Sequence, residues 1–399
     1  MHAIYDNRIF PPERCVIILS MEIVIKSQKI CYLDEPAPFS EAVKILQQRP
    51  AVAVDTESDS LYVYYEKVCL IQLSDSEQNF IADPLVLGDI SELDPLFRDR
   101  SVQKVFHAAE YDIMCLKRDY GFEFNNIFDT MIAARILGRK EIGLGALIEQ
   151  EFGILLDKKF QKANWGVRPL SENMLLYAAM DTSYLLELRD RLEQELIERE
   201  LFALAQEDFE QVCKVSPAAG HPLEIHWWKA AGNNRDLTFE QAAALQGLCH
   251  LREQIAKKSD LPPFKVMQNE VLLALAIEQP KRLPQLAKFK GLRKGLIQKH
   301  GKAILNVIEE SKTIKDLERP VHPPKPSAAS LNLRELLKTW RKTVGLQFDV
   351  PSDVILPKDV LERIAMKKPR DKNELKTIMA DFPWRFNRFS NDILDVLRE

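Results

Sequence analysis

The back half of the chain is one pattern written twice, which leaves little freedom in how it folds. Arg252 is followed 89 residues later by Arg341. The same offset, without a gap, relates Pro262 to Pro351, Val271-Leu272 to Val360-Leu361, Ala276 to Ala365, Pro280 to Pro369, Leu286 to Leu375 and Ile304-Leu305 to Ile393-Leu394. Apolar positions also correspond at Leu248/Leu337, Val266/Ile355 and Ile308/Leu397. Chance matches scatter over many offsets, whereas these fall at helix-spaced core positions. Residues 236–317 and 331–399 are therefore predicted to be a tandem duplication of one small all-α domain. A Pro-rich spacer, ERPVHPPKPSAAS over 318–330, separates the copies. A linker with Pro217, Gly220, Pro222 and Gly232, over 216–235, precedes the first copy, and its Trp227 and Trp228 suggest that it docks.

The front half, residues 31–215, reads differently. Strand-like Ile23–Leu33 leads to a short helix over Ser40–Gln48, opened by a Ser cap. A strand over 51–57 follows, then β-rich segments at Tyr62–Tyr65, Val68–Leu73 and Phe80–Ala82. A short strand at Val102–Phe106 runs into a helix over His107–Tyr120. Further helices are expected at Asp129–Leu137 and Leu144–Phe152, and across Ser171–Glu210 with a break near Asp181. A mixed sheet followed by helices is an α/β layered domain. Residues 1–30 read as an extension carrying the first strand, and the periodic sequence begins near Met21, an alternative start to Met1.

A chain of 399 residues is too long for one ordinary core and suits two or three domains. Its net charge of −4 hides an asymmetry: residues 1–210 carry −15 and residues 211–399 carry +11. Such a split is either uneven surface solvation or an acidic front that binds cations joined to a basic back that binds a polyanion. The six cysteines form no CxxC pair and most have apolar neighbours, as in Val68-Cys69-Leu70-Ile71. They are expected to be reduced core residues of a cytoplasmic protein. The apolar runs near the N-terminus are too short to span a bilayer and no export signal is expected. Nothing demands an oligomer, so a monomer is expected.

The stretch Ala51-Val-Ala-Val-Asp-Thr-Glu57 places two carboxylates, Asp55 and Glu57, on one face at the end of an apolar strand. Like charges this close repel unless cations sit between them. Asp112 stands in the first turns of the helix after Lys104-Val-Phe-His-Ala-Ala-Glu-Tyr, where an acid is also favoured by the helix dipole alone. In Leu170-Ser-Glu-Asn-Met-Leu-Leu-Tyr177-Ala-Ala-Met-Asp181 the tyrosine and the acid stack on one helix face among apolar neighbours. Alone, Asp181 reads equally as a partly exposed acid on a buried helix. Together the acids offer four hard oxygen ligands with no His or Cys cluster, a set suited to Mg²⁺ or Mn²⁺. Two such ions about 3.5–4 Å apart activate a water and stabilise the leaving 3′ oxygen of a phosphodiester. Tyr177, with an ordinary pKa of about 10, is a poor base but a good hydroxyl to orient that water.

AVDTE, HAAEYD and the segment from Tyr177 to Asp181 resemble the three motifs of the DEDD exonucleases in their Tyr-containing subtype. Lys67–Gln72 (KVCLIQ), Phe128-Asp129-Thr130 and Trp165–Leu170 (WGVRPL) resemble the ribonuclease D branch. The repeated module, with Arg252-Glu253, Asp260-Leu-Pro262 and Lys290-Gly291, resembles the HRDC domain. Met174 departs from the Gln that many members carry. The resemblance implies an RNase-H-like exonuclease domain, a mixed sheet of five to six strands flanked by helices, then two HRDC domains. It implies 3′→5′ hydrolysis to nucleoside 5′-monophosphates with two metal ions. Asp55 would be shared by both ions, Glu57 and Asp181 would hold the nucleophile-side ion and Asp112 the second, and Tyr177 would position the nucleophile.

Lys281–Lys302 carries eight Lys or Arg residues and no acid, with Gly291, Gly295 and Gly301 interrupting it. Lys288, Lys290, Arg293 and Lys294 are therefore candidate backbone contacts to nucleic acid, with glycines that permit close approach to phosphate. His107 is either a substrate-phosphate contact or a structural histidine. Tyr62, Tyr64 and Tyr65 either stack on bases or divide between core and solvent. The second copy, with Asp381-Phe-Pro-Trp384 near the place of Gly291-Leu-Arg-Lys294, is expected to keep a packing role. Deleting residues 318–399 would then weaken RNA binding less than neutralising the four basic residues. The expected activity is a 3′-5′ exoribonuclease trimming tRNA precursors and similar small structured RNAs. A DNA-directed exonuclease of the same fold and an inactive RNA-binding adaptor are the alternatives.

Overall fold

The computed structural model describes residues 29–217, 225–232, 236–318 and 327–398. The chain divides into two compact units. One gathers Met1–Ser58, Val68–Ala218 and Lys325–Glu399, and the other Asp59–Lys67 and Ala219–Pro324. Most of the expected N-terminal extension, residues 218–224 and 233–235 of the first linker and 319–326 of the second lie outside the described residues.

The first unit is built on six strands: β1 (Lys29–Leu33), β2 (Ala51–Ser58), β3 (Val68–Ser74), β4 (Gln78–Ala82), β5 (Gln103–Phe106) and β6 (Ile127–Asp129). Their order is β1-β4-β3-β2-β5-β6. β3 runs antiparallel to its neighbours β2 and β4, while β5 and β6 run parallel to β2. All seven residues of β3 are buried, as a continuous apolar run in a central strand requires. β2 changes character along its length: Ala51–Val54 are buried and Asp55–Ser58 half-exposed. The cause is its neighbour, because β5 pairs only with Ala51–Ala53 and then turns away. The carboxylate end of β2 is thus left unpaired on that side, at the carboxyl ends of the parallel strands, where α/β sheets place their ligands.

Helix α1 (Pro36–Leu46) opens four residues before the expected Ser cap. Glu35 occupies the cap position and Pro36, which has no N–H to leave orphaned, the first turn. Ser40 instead donates to Glu92. Helices α2 (Glu110–Tyr120), α3 (Thr130–Ile136) and α4 (Glu172–Ser183) carry the residues of interest, and α5 (Leu185–Glu198) and α6 (Phe202–Cys213) complete the expected long helical region. Its break falls at Tyr184, close to Asp181. Tyr62–Tyr65, expected to be β-like, form no strand. They belong to the second unit, where Tyr64 joins the core, its hydroxyl donates to Glu253 and its amide donates to Asp260.

The duplication holds in three dimensions. Helices α7 (Phe239–Ser259), α8 (Asn269–Glu278) and α9 (Lys294–Glu310) of the first copy each start 89 residues before α10 (Ala328–Phe348), α11 (Lys358–Lys367) and α12 (Pro383–Val396) of the second. Arg252 donates to the carbonyl of Met267, and Arg341 to that of Leu356, its equivalent. Left-handed residues close matching helices at Asp260 and Asp349, and at Gln279 and Lys368.

The copies differ in what they pack against. The second shares a core with the sheet domain: Leu337, Ile355 and Phe389 cluster with Phe128, Leu204 and Phe209. The first has its own core of Leu245, Leu272, Leu286 and Ile304, into which Ala230 and Ala231 of the linker dock. The packing role expected for the second copy is therefore its role in the structure. Deleting residues 318–399 would strip the core of the first unit, so that deletion cannot isolate an effect on RNA binding.

Candidate active site

The strand-borne pair comes first. Asp55 and Glu57 project from the free end of β2 on the face that α4 covers. Opposite them β5 ends at Phe106, and the chain passes through Ala108, held at φ 61°, into α2. A residue with a Cβ resists that conformation, so the turn needs support. Asp129 supplies it. Its buried carboxylate accepts from the amides of Ala108, Ala109, Met131 and Ile132, and so ties the turn to the start of α3. Asp112, in the first turn of α2, is thereby presented to β2, where the Thr56 hydroxyl donates to its carboxylate.

The third contribution arrives on α4, capped by Ser171, whose hydroxyl accepts from the amide of Met174. Arg168 anchors the approach to this helix: it pairs with buried Asp83 and donates to the carbonyls of Trp165 and Cys69. Leu175, Ala178 and Ala179 bury one side of α4, and Tyr177 and Asp181 share a face. The Tyr177 ring is flanked by Phe160 at 5.9 Å and Trp165 at 6.0 Å, which fixes its orientation.

The four carboxyls share one electrostatic direction. Burial, followed by the charges of Asp112, Asp181 and Glu57, pushes the Asp55 carboxyl well above its usual range. Glu57 is pushed up to about 9 by burial and by Asp181 and Asp112. Burial raises Asp112 and Asp181 to about 7 each. Burial, with Asp181, Glu57 and Asp55 nearby, holds the Tyr177 phenol above its ordinary range, so it stays protonated. Carboxyls whose ionisation is disfavoured by burial, and at Asp55 and Glu57 also by the neighbouring acids, are a poor structural device and a fitting donor set for hard divalent cations. Among the described residues no three such side chains close on one point as a finished shell, and the Thr56 hydroxyl occupies Asp112.

His107 lies at the mouth of the same turn. Its Nδ1 is 2.9 Å from the Thr130 hydroxyl, which itself donates to the Phe106 carbonyl. The ring therefore donates from Nδ1 and keeps a lone pair at Nε2. Burial lowers its pKa to about 4, so it is uncharged at neutral pH. The Thr130 bond is what the structural reading of this histidine expects.

Lys288, Lys290, Arg293 and Lys294 are all exposed, in the second unit. Two of the glycines among them have packing reasons. Gly291 sits at φ 94°, and a Cβ at Gly301 would lie 2.7 Å from Leu283. Only around Gly295 is there open space. Sequence reasoning did not reach Asp83. Thr56, Gln72, Asp129, Trp165 and Arg168 entered it only within resembling motifs. A buried acid just before a helix is a capping signal, and that was the available clue to Asp129.

Comparison with known proteins agrees with this picture. The 3′-5′ exonuclease family profile matches residues 31–197, and the HRDC profile matches 241–308 and 330–397. Ribonuclease D of Escherichia coli is 31% identical over 290 residues, covering 72% of this chain and 75% of that protein. The exosome complex exonuclease RRP6 of Saccharomyces cerevisiae is 28% identical over 336 residues, covering 80% of this chain but 46% of its own length. The chain spans between 31% and 46% of that protein and four further eukaryotic relatives. The crystal structure of E. coli RNase D superimposes with a TM-score of 0.67 over 93% of this chain and 99% of that one; at 24% identity that likeness is one of fold. With a 3′-5′ exonuclease domain followed by two HRDC domains, the chain belongs to the ribonuclease D family.

Proposed function

We propose that the chain is a divalent-metal-dependent 3′→5′ exoribonuclease that shortens tRNA precursors and similar small structured RNAs. The observation that carries this reading is the convergence of Asp55, Glu57, Asp112 and Asp181, from three separate elements, on one buried site beside a protonated Tyr177. Two Mg²⁺ or Mn²⁺ ions bound there would supply an activated water and charge stabilisation at the leaving 3′ oxygen. Asp55 would be the ligand shared by both ions, Glu57 and Asp181 would serve the nucleophile side, and Asp112 would serve the leaving-group side. Tyr177, locked between Phe160 and Trp165, orients the attacking water through its hydroxyl and takes no proton from it.

Exposed Lys288, Lys290, Arg293 and Lys294 hold the body of the RNA through its phosphates. In the second copy the matching start of α12 is apolar, with Phe382 and Pro383, and packs on α6, so the first copy is the binding one. E. coli RNase D is an exoribonuclease involved in structured RNA processing, and likeness to it supports an RNA substrate. We place functional boundaries at 31–215, 236–317 and 331–399. Cys31, Cys69, Cys115 and Cys249 are buried, in keeping with core thiols in a reducing cytoplasm. The chain acts as a monomer.

The test is a 5′-labelled tRNA precursor with Mg²⁺. Wild type should shorten it one nucleotide at a time from the 3′ end, and faster than single-stranded DNA. Asp181→Ala should be inert and Tyr177→Phe slower by about 10²-fold. Full trimming by Asp181→Ala would sink the two-metal assignment, and faster cleavage of DNA would sink the choice of RNA.

A further inference from the structure

The inference concerns Gln72, in the middle of β3. Its direct partner across the antiparallel pair with β2 is Asp55. Paired residues leave a sheet on the same face, with Cβ atoms about 4.5–5.5 Å apart, so the carboxamide and the carboxylate are side-by-side neighbours. That face is covered by α4. Gln72 is 0% exposed, and neither its Nε2 nor its Oε1 has a hydrogen-bond partner.

The rest of the seam is satisfied. Ser74, two residues along, lies 2.5 Å from both Asn79 and Thr182, and Asn79 also accepts from Ser183. Leu70 and Ile81, on either side of Gln72 on the same face, show that apolar side chains suit this layer. A buried amide with both ends unpaired is disfavoured where a leucine would pack. Its retention beside Asp55 therefore calls for a use.

We propose that Gln72 is the positioning residue of Asp55, donating from Nε2 to the Asp55 carboxylate and orienting it toward the metal ions. This rests on the metal-site reading above, with Asp55 as the ligand and Gln72 acting through it. Residues that orient ligands in this way commonly change metal affinity by about 10–100-fold.

The experiment is calorimetric titration of the full chain with Mn²⁺, without RNA, alongside thermal melting in EDTA, for wild type, Gln72→Leu and Gln72→Met. Both variants should melt at or above the wild-type temperature in EDTA, because an unpaired buried amide has been removed. Both should bind Mn²⁺ about tenfold more weakly or worse, with saturating Mn²⁺ restoring occupancy. Variants that bind Mn²⁺ like a wild type that itself binds it would overturn the positioning role alone. Variants that melt well below wild type or fail to fold would show that Gln72 supports the fold, and would overturn it too. A wild-type chain that binds no Mn²⁺ would overturn the metal site itself and this role with it.

Discussion

The guanidinium of Arg385 donates to Glu207 at 2.9 Å, with none of the arginine side chain reaching water. Asp208 accepts from the same group at 2.9 Å, and the carbonyl of Val354 accepts two more of its N–H groups. The second helical copy is fixed to α6 by this buried charge. Removing one partner leaves acids without a counter-ion inside the protein, so Arg385→Met should cost about 3–5 kcal/mol. A lower urea midpoint would report it. Replacing Glu207 and Asp208 by leucine in the same chain should restore most of the loss.

The raised carboxyl pKa values make stability depend on pH in a definite direction. Asp112 and Asp181 titrate near 7 and Glu57 near 9 when folded, against ordinary values of 3.8 and 4.5. The folded protein binds protons that the unfolded chain has released, so stability falls as pH rises from about 4 through 7 and on toward 9. That contribution is fully present below the ordinary values. Melting curves in EDTA should show the decline. Mn²⁺ should offset it increasingly at higher pH, and a metal-induced rise in Tm that shrinks from pH 6 to pH 8 would contradict the site described.

Binding of RNA should carry the signature of phosphate contacts. Each contact to a single strand contributes about 0.7 to the slope of log affinity against log salt. Neutralising Lys288, Lys290, Arg293 and Lys294 together should reduce the slope by as much as about 3. Fluorescence anisotropy across a salt series measures it, and an unchanged slope would place the binding surface elsewhere.

Asp129 holds the turn that presents Asp112. Asp129→Asn keeps the shape but sets an amide donor against an amide N–H, a loss of about 1–3 kcal/mol. Because Ala108 and Ala109 are released with it, Mn²⁺ affinity should fall as well as Tm. A drop in Tm with unchanged Mn²⁺ affinity would mean that Asp112 holds its place without this turn.

The strand ending in Asp55 and Glu57 was legible because four small or β-branched apolar residues run straight into two acids at the strand's own spacing of two. The Tyr177–Asp181 face followed from helical period. The 89-residue offset carried the helical modules down to their capping residues. What sequence could not convey depended on partners far along the chain. β6 is three residues long and exists because β5 lies beside it. Tyr64 has the look of a strand residue, yet its position is decided by Glu253 and Asp260. Gln72 reads as one polar residue in an apolar run; its isolation is visible only once Asp55 stands opposite and α4 lies across it.

Tyr64 also sets an order of events during synthesis. It leaves the ribosome 189 residues ahead of Glu253 and 196 ahead of Asp260. The strand bearing Asp55 and Glu57 can pair with β3 long before then, and Asp59 and Lys67 can close the base of the loop. Nascent chains shorter than about 260 residues still lack the two distant acids that Tyr64 bonds in the finished chain. The second compact unit is therefore assembled from two pieces made far apart in time, and its core closes only when the later piece arrives.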